Sequence, residues 1–308
     1  MRVFITGGTG FIGSAVIKEL LGAGHGVVGL ARSEKAKQAL AAAGAAAIDG
    51  SLEDLESLKR GAAEADAVVH CGFVHDFANF AKCCETDRLA IEVMGTALVG
   101  SNKPFIVTSG VPAVESGQVA TEKDESETRT PRVSEQAALP FAGRGVRVVI
   151  VRPSRFVHGD GNFGFASMLI DMAGKSGVAV CIGDGANRIH AVHVNDLAKL
   201  FTLALEKGEN GAKYQAVGDF AIPFKEVAEA IGKRLNVPMV SIMPEQAAER
   251  LGMLGQVIGA DNPASSEITQ TALGWKPTGL SLLQDLLCCP MQCRDDGVIH
   301  KTNGGEQY

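Results

Sequence analysis

The amino-acid sequence predicts an α/β protein: a doubly wound parallel sheet carrying a small, mostly helical cap. Three observations predict it. Short apolar runs of the kind a buried parallel strand needs recur at residues 2–5, 27–30, 45–48, 67–71, 105–108 and 146–151. Segments of helical spacing or alanine-rich composition separate them, which is the alternation of strand and helix that builds a parallel sheet. A glycine-rich turn at residues 6–13 joins the first strand to the first helix, where Phe11, Ile12, Ala15, Val16 and Leu20 fall at helical spacing.

The elements follow in order. Residues 34–43 are alanine-rich and helical, and Ser51-Leu-Glu-Asp54 resembles a capping box for the next helix. Residues 87–100 form another helix, and a further one begins near Thr130. Residues 178–182 are a strand, 183–188 a turn, and 189–194 a strand expected to return to the main sheet. Asn195 is expected at the N-cap of a helix running to Leu205. Residues 214–217 read as the last strand, followed by a helix over 224–235 and by small helices and turns to about 287. The predicted division is 1–155 plus about 190–217 for the sheet domain and about 156–189 plus 218–290 for the cap, with 291–308 a mobile tail.

Bulk properties narrow the function. At 308 residues the chain can bury a full core and make about two domains. A net charge of −6 argues against a nucleic-acid surface. No run approaches the roughly 18 apolar residues of a membrane span. The N-terminus enters a strand without signal-peptide architecture, so a cytoplasmic protein is expected. Seven cysteines, an odd count with two adjacent pairs, do not read as a disulfide framework. No histidine completes a zinc spacing around Cys288, Cys289 and Cys293, so free thiols and no metal are expected.

The glycine turn carries the first chemistry. Strand, turn and helix in that order are the context a dinucleotide fingerprint requires. Gly7 and Gly8 permit the tight turn, Gly10 lets backbone approach a pyrophosphate, and Gly13 lets the helix pack close. Gly7, Thr9, Gly10, Phe11 and Ile12 are the candidate contacts, beside a helix N-terminus that attracts phosphate. An NAD site would place a carboxylate about twenty residues on, to accept from the ribose 2′-hydroxyl. This chain has Ala31-Arg32-Ser33 there, so Arg32 and Ser33 predict NADP(H) over NAD(H). The alternative is that Arg32 merely ends a strand on the surface.

Thr6-Gly-Gly-Thr-Gly-Phe-Ile-Gly13 resembles the opening of the extended short-chain dehydrogenase/reductase family, which includes nucleotide-sugar epimerases and dehydratases. Val68-Val-His-Cys71, Val107-Thr-Ser-Gly110, Val151-Arg-Pro153, His190-Ala-Val-His-Val-Asn-Asp-Leu197 and Leu273-Gly-Trp-Lys-Pro277 extend the resemblance to about Leu287. It implies a Rossmann-type fold and further cofactor residues: Ser51 and Leu52 near adenine, Gly72 and Phe73 beneath ribose and nicotinamide with Cys71 beside them, and Pro153, Ser154 and Phe156 near the carboxamide. It also implies that Ser109, with Thr108 second, hydrogen-bonds the substrate oxygen.

The family's Tyr and its Lys four residues on are missing. Alignment on Ser134 puts Pro131 and Glu135 at those positions, and Tyr214 and Tyr308 lie elsewhere. Another proton donor is needed for hydride transfer to a carbonyl. His158 and His75, each just past a strand's carboxyl end, are the candidates after Ser109. The competing readings are loop packing for His158, and a solvated His75 beside a helix-capping Asp76. Arg132 offers an oxyanion contact but reads first as a surface ion pair with Glu135. The expected function is an NADPH-dependent oxidoreductase of a small, fairly apolar carbonyl or imine. The alternatives are a non-redox isomerase, dehydratase or cyclase, and a non-catalytic NADP(H)-sensing protein. The expected partner is a small-molecule substrate, with a homodimer left open.

Overall fold

The computed structural model describes residues 1–126 and 131–288. Its first half runs β1 (Arg2–Thr6), α1 (Phe11–Gly22), β2 (Gly26–Ala31), α2 (Glu34–Ala42), β3 (Ala46–Asp49), α3 (Leu55–Glu64), β4 (Ala67–His70), α4 (Phe80–Ala97), β5 (Pro104–Thr108), α5 (Ser134–Ala138) and β6 (Arg147–Pro153). Next come β7 (Phe156–His158), α6 (Phe165–Ser176), β8 (Ala179–Ile182), β9 (Arg188–His193), α7 (Val194–Lys207), β10 (Lys213–Ala216) and β11 (Asp219–Pro223). The chain then makes α8 (Phe224–Leu235), β12 (Met239–Ile242), α9 (Pro244–Leu251), α10 (Met253–Gly259), α11 (Glu267–Leu273) and α12 (Leu282–Cys288). The proposed mobile tail, with Cys289 and Cys293, lies outside the described residues.

The main sheet has seven parallel strands in the order β10-β6-β5-β4-β1-β2-β3. Period-two alternation sends neighbouring side chains to opposite faces. Val3, Ile5, Val69, Ile106 and Val149 pack with α1 and α7, whereas Phe4, Val68, Phe105, Val107 and Val148 pack with α3 and α4. Strand order reverses between β1 and β4, so the crevice at their carboxyl ends is where this architecture binds ligands.

Three expectations need correction. Residues 189–194 do not return to the main sheet: β9 sits between β7 and β11 in a separate three-stranded sheet. An apolar run has the same periodicity whichever sheet receives it, so sequence pattern cannot name its partner. β10 is not the last strand, because β11 follows and β12 pairs with β8. The N-cap of α7 is His193, whose Nδ1 accepts from the Asn195 N–H at 3.3 Å; Asn195 lies inside the helix. The cap core gathers Phe156, Leu169, Phe224 and Leu282 from β7, α6, α8 and α12, with Phe163 from the loop before α6.

Candidate coenzyme and active site

The glycine turn is built as backbone against backbone. Gly7 takes a left-handed φ of 69°, and a Cβ there would stand 2.7 Å from the Gly72 backbone. The Gly10 N–H donates to the Gly7 carbonyl at 3.0 Å and closes the turn. Gly10 is otherwise open: a Cβ there would meet only the Gly7 carbonyl oxygen, at 3.3 Å. Helix α1 starts with no side-chain cap and no acid in its first turn. Among the described residues the Phe11 and Ile12 N–H groups have no acceptor. An uncapped helix N-terminus under an open backbone face fits a pyrophosphate. Thr9 is exposed there, and Phe11 and Ile12 are half-buried against the core.

At the adenosine end, Arg32 is exposed just past β2 and pairs with no carboxylate among the described residues. Asp49 lies opposite Ala31 on β3, but Lys37 Nζ holds it at 2.7 Å. That contact raises the Lys37 pKa, so the cation persists. The Ser33 hydroxyl caps α2 by accepting from the Ala36 N–H. The Ser51 hydroxyl accepts from the Glu53 and Asp54 N–H groups, while Asp54 caps α3. Leu52 lies near Gly72, where a Cβ would approach it to 3.1 Å.

At the other end, Cys71, Gly72 and Phe73 follow β4 directly. Burial pushes the Cys71 thiol up to about 12, so it is an inert neighbour of Thr108. Ser154 spends its hydroxyl on the Ala216 carbonyl at 2.7 Å, and Phe156 is fully buried beside Phe165. These two side chains are committed within the protein, so they offer a cofactor mainly backbone. Pro153 ends β6 against Ala216. His75 is exposed, packs edge-on to Phe73, and has its pKa lowered by desolvation and by the Arg132 charge. Asp76 caps the short turn Phe77–Asn79.

Around Ser109 the pattern differs from the expected one. Arg132 makes no ion pair with Glu135. Glu135 is buried and takes a bidentate pair from Arg152, with Nε and a terminal nitrogen both at 2.8 Å. The Ser109 hydroxyl donates to the same carboxylate at 2.6 Å. Its only proton is therefore committed, and toward a ligand it presents lone pairs. Arg132 instead stacks on Phe73, 4.4 Å from the ring centroid, and donates to Ser134 Oγ at 3.1 Å and to the Thr108 carbonyl at 3.2 Å. Behind it runs a buried line that sequence reading missed. Ser134 Oγ donates to Asp87 at 2.6 Å, Asp87 meets His70 Nε2 at 3.0 Å, and His70 Nδ1 meets Thr6 Oγ1 at 2.7 Å. Tyr214 is buried in β10, and Tyr308 lies outside the described residues.

His158 is fully buried under α12, with Nδ1 on Asp285 at 2.9 Å and Nε2 without a hydrogen bond, 4.0 Å from the Asp219 carboxylate. Its contacts fasten β7 to α12, which accords with the packing reading. His190 is also buried, and desolvation beside Arg155 lowers its pKa to about 3. A histidine whose pKa falls on folding adds stability that is full above about pH 6.5 and lost as pH drops toward the folded value. Between about pH 6 and pH 3.5, His190 is expected to remove roughly 1.4 kcal/mol per pH unit. Urea midpoints across that range should show the slope, and His190→Gln should flatten it; an unchanged slope in the variant excludes His190 as its source.

The comparisons agree with this geometry. The family model described as the NAD dependent epimerase/dehydratase family matches residues 3–218. The uncharacterized protein C2A9.02 of Schizosaccharomyces pombe is 46% identical over 289 residues, covering 93% of this chain and 98% of that protein. The 4-hydroxy-2-methyl-3-oxo-4-farnesyl-3,4-dihydroquinoline-1-oxide ketoreductase of Stigmatella aurantiaca is 28% identical, covering 82% of this chain and 80% of that one. Among solved structures, DesIV, a dTDP-glucose 4,6-dehydratase from Streptomyces venezuelae with NAD and TYD bound, superposes with a TM-score of 0.77 at 20% identity. The alignment covers 96% of this chain and 98% of DesIV, and the likeness is one of fold. With its glycine turn, its parallel sheet and a family match across most of its length, this chain belongs to the NAD dependent epimerase/dehydratase family.

Proposed function

We propose that the protein is an NADPH-dependent oxidoreductase of a small, fairly apolar carbonyl or imine compound. The carrying observation is the open backbone face at Gly10 with Arg32 unopposed at the end of the neighbouring strand. A bound dihydronicotinamide supplies a hydride. This chain's residues bind and orient: the α1 N-terminus takes the pyrophosphate, Arg32 takes a 2′-phosphate, and Ser109 accepts a hydrogen bond from the ligand. A nucleotide-sugar fits poorly. Arg188, the first residue of β9, is held by both oxygens of Asp261 at 2.9 and 2.7 Å and is not free for a diphosphate.

Arg32→Ala is expected to reduce the preference for NADPH over NADH about tenfold, the size of a charge-assisted contact at an accessible site. Calorimetric dissociation constants for both coenzymes check it, and equal affinities in the unaltered protein would sink the NADPH assignment. Stopped-flow NADPH oxidation against a carbonyl and imine panel tests the reaction class. Steady consumption supports the reductase; turnover without net consumption supports an isomerase, dehydratase or cyclase. The lack of a tyrosine among the described residues of the site favours one second reading, a non-catalytic NADP(H) sensor, which binds tightly and turns nothing over.

A further inference from the structure

We propose that Arg132 meets the charge on the substrate's reacting oxygen, where a tyrosine hydroxyl is missing, and that Ser134, Asp87, His70 and Thr6 form the line that positions it. This rests on the reductase reading above.

Placement comes first. Thr108 ends β5 and Phe73 lies just past β4, so a guanidinium on both sits over the carboxyl ends of adjacent strands. Those strands lie beside the point where strand order reverses. Availability follows. Arg132 is half-buried, and among the described residues no carboxylate pairs with it. Its two hydrogen bonds use two of the five N–H donors of a guanidinium. The remainder form a planar fork, held by two anchors and a ring face, which suits an oxyanion. A developing alkoxide needs such a donor already in place, and then one proton from solvent.

One proton assignment satisfies every group of the buried line. Ser134 donates to Asp87, so its oxygen accepts the Arg132 Nε–H. With the proton on His70 Nε2 directed at Asp87, Nδ1 accepts the Thr6 hydroxyl proton. The Thr6 oxygen in turn accepts the Gly72 N–H at 3.1 Å. Each group is satisfied, and Asp87 reaches the guanidinium through the Ser134 hydroxyl rather than by direct pairing. Thr6 immediately precedes Gly7, and Gly72 packs on Gly7. The line therefore ties the glycine turn to Arg132, making the intervening residues positioning residues.

The test uses benzoate, an apolar carboxylate, titrated calorimetrically into the full chain with and without saturating NADP⁺. Arg132→Met is expected to weaken benzoate binding tenfold or more while leaving NADP⁺ affinity within about twofold. Ser134→Ala should weaken benzoate severalfold at unchanged NADP⁺ affinity, and Ser134→Thr, which keeps the hydroxyl, should restore it. A purely structural role for Ser134 would instead lower the folded fraction and leave benzoate affinity per folded molecule intact. Equal benzoate affinity in Arg132→Met, or no benzoate binding by the unaltered protein, overturns the proposal. If NADP⁺ does not bind the unaltered protein, the reductase reading fails, and the coenzyme-free titration still decides Arg132.

Discussion

Arg152→Met is expected to lose about 3–5 kcal/mol of stability, as removal of one partner from a buried ion pair does. Arg152 is wholly buried in β6 and Glu135 nearly so in α5. Without the guanidinium, the Glu135 carboxylate keeps the Ser109 hydroxyl but loses two short contacts and its neutralising charge. Arg152 and the Ser109 hydrogen bond now hold the Glu135 pKa below its ordinary value against a desolvation that pushes it up. In the variant the Arg152 part of that opposition is gone, so the carboxyl's pKa should rise, and the variant should regain stability as pH falls. A double variant, Glu135→Leu with Arg152→Met, should recover most of the loss, because apolar replacement of a whole buried pair is often neutral. Urea midpoints at pH 7 for the three proteins check this; a single-variant loss below about 1 kcal/mol would show that water reaches the carboxylate. The pair matters for the site because it turns the Ser109 proton away from the ligand.

Legibility followed the range of the signal. The strand, glycine turn and first helix were readable because their causes are local: an apolar run, residues without side chains, then helical spacing. The exposed Arg32 was equally local. Glu135 was not, because only the folded chain shows that Arg152 reaches it. A signal existed, since an arginine within the apolar run of β6 demands a buried partner. The His70–Asp87–Ser134 line joins residues 17 and 47 positions apart, and no periodicity marks such a contact. His158 looked accessible because it follows a strand, yet Asp285 on the distant α12 draws it under the cap. The cap strands β11 and β12 are too short to announce their sheet partners.

Two one-methyl changes in the glycine turn should separate folding from coenzyme binding. At Gly13 a Cβ would stand 2.0 Å from the Gly7 carbonyl oxygen and 3.0 Å from the Gly8 Cα. Both neighbours are backbone and cannot swing aside, so Gly13→Ala must push α1 off the turn. An overpacked contact of this kind costs about 1–3 kcal/mol or more, and α1 shares with α7 the covering of one face of the sheet core. At Gly10 the same methyl finds only the Gly7 carbonyl, at 3.3 Å, and otherwise enters open space. Gly10→Ala should therefore fold with a melting temperature within a few degrees of the unaltered protein. The methyl then occupies the face that a pyrophosphate must approach, so NADPH affinity should fall roughly tenfold to a hundredfold, about 1.4–2.7 kcal/mol. Calorimetry and thermal melts on both variants distinguish the cases. If Gly10→Ala binds NADPH as well as the unaltered protein does, that open face is not where the phosphates sit. If Gly13→Ala melts normally, the helix has room that the turn geometry denies it, and the close packing assigned to Gly13 is wrong.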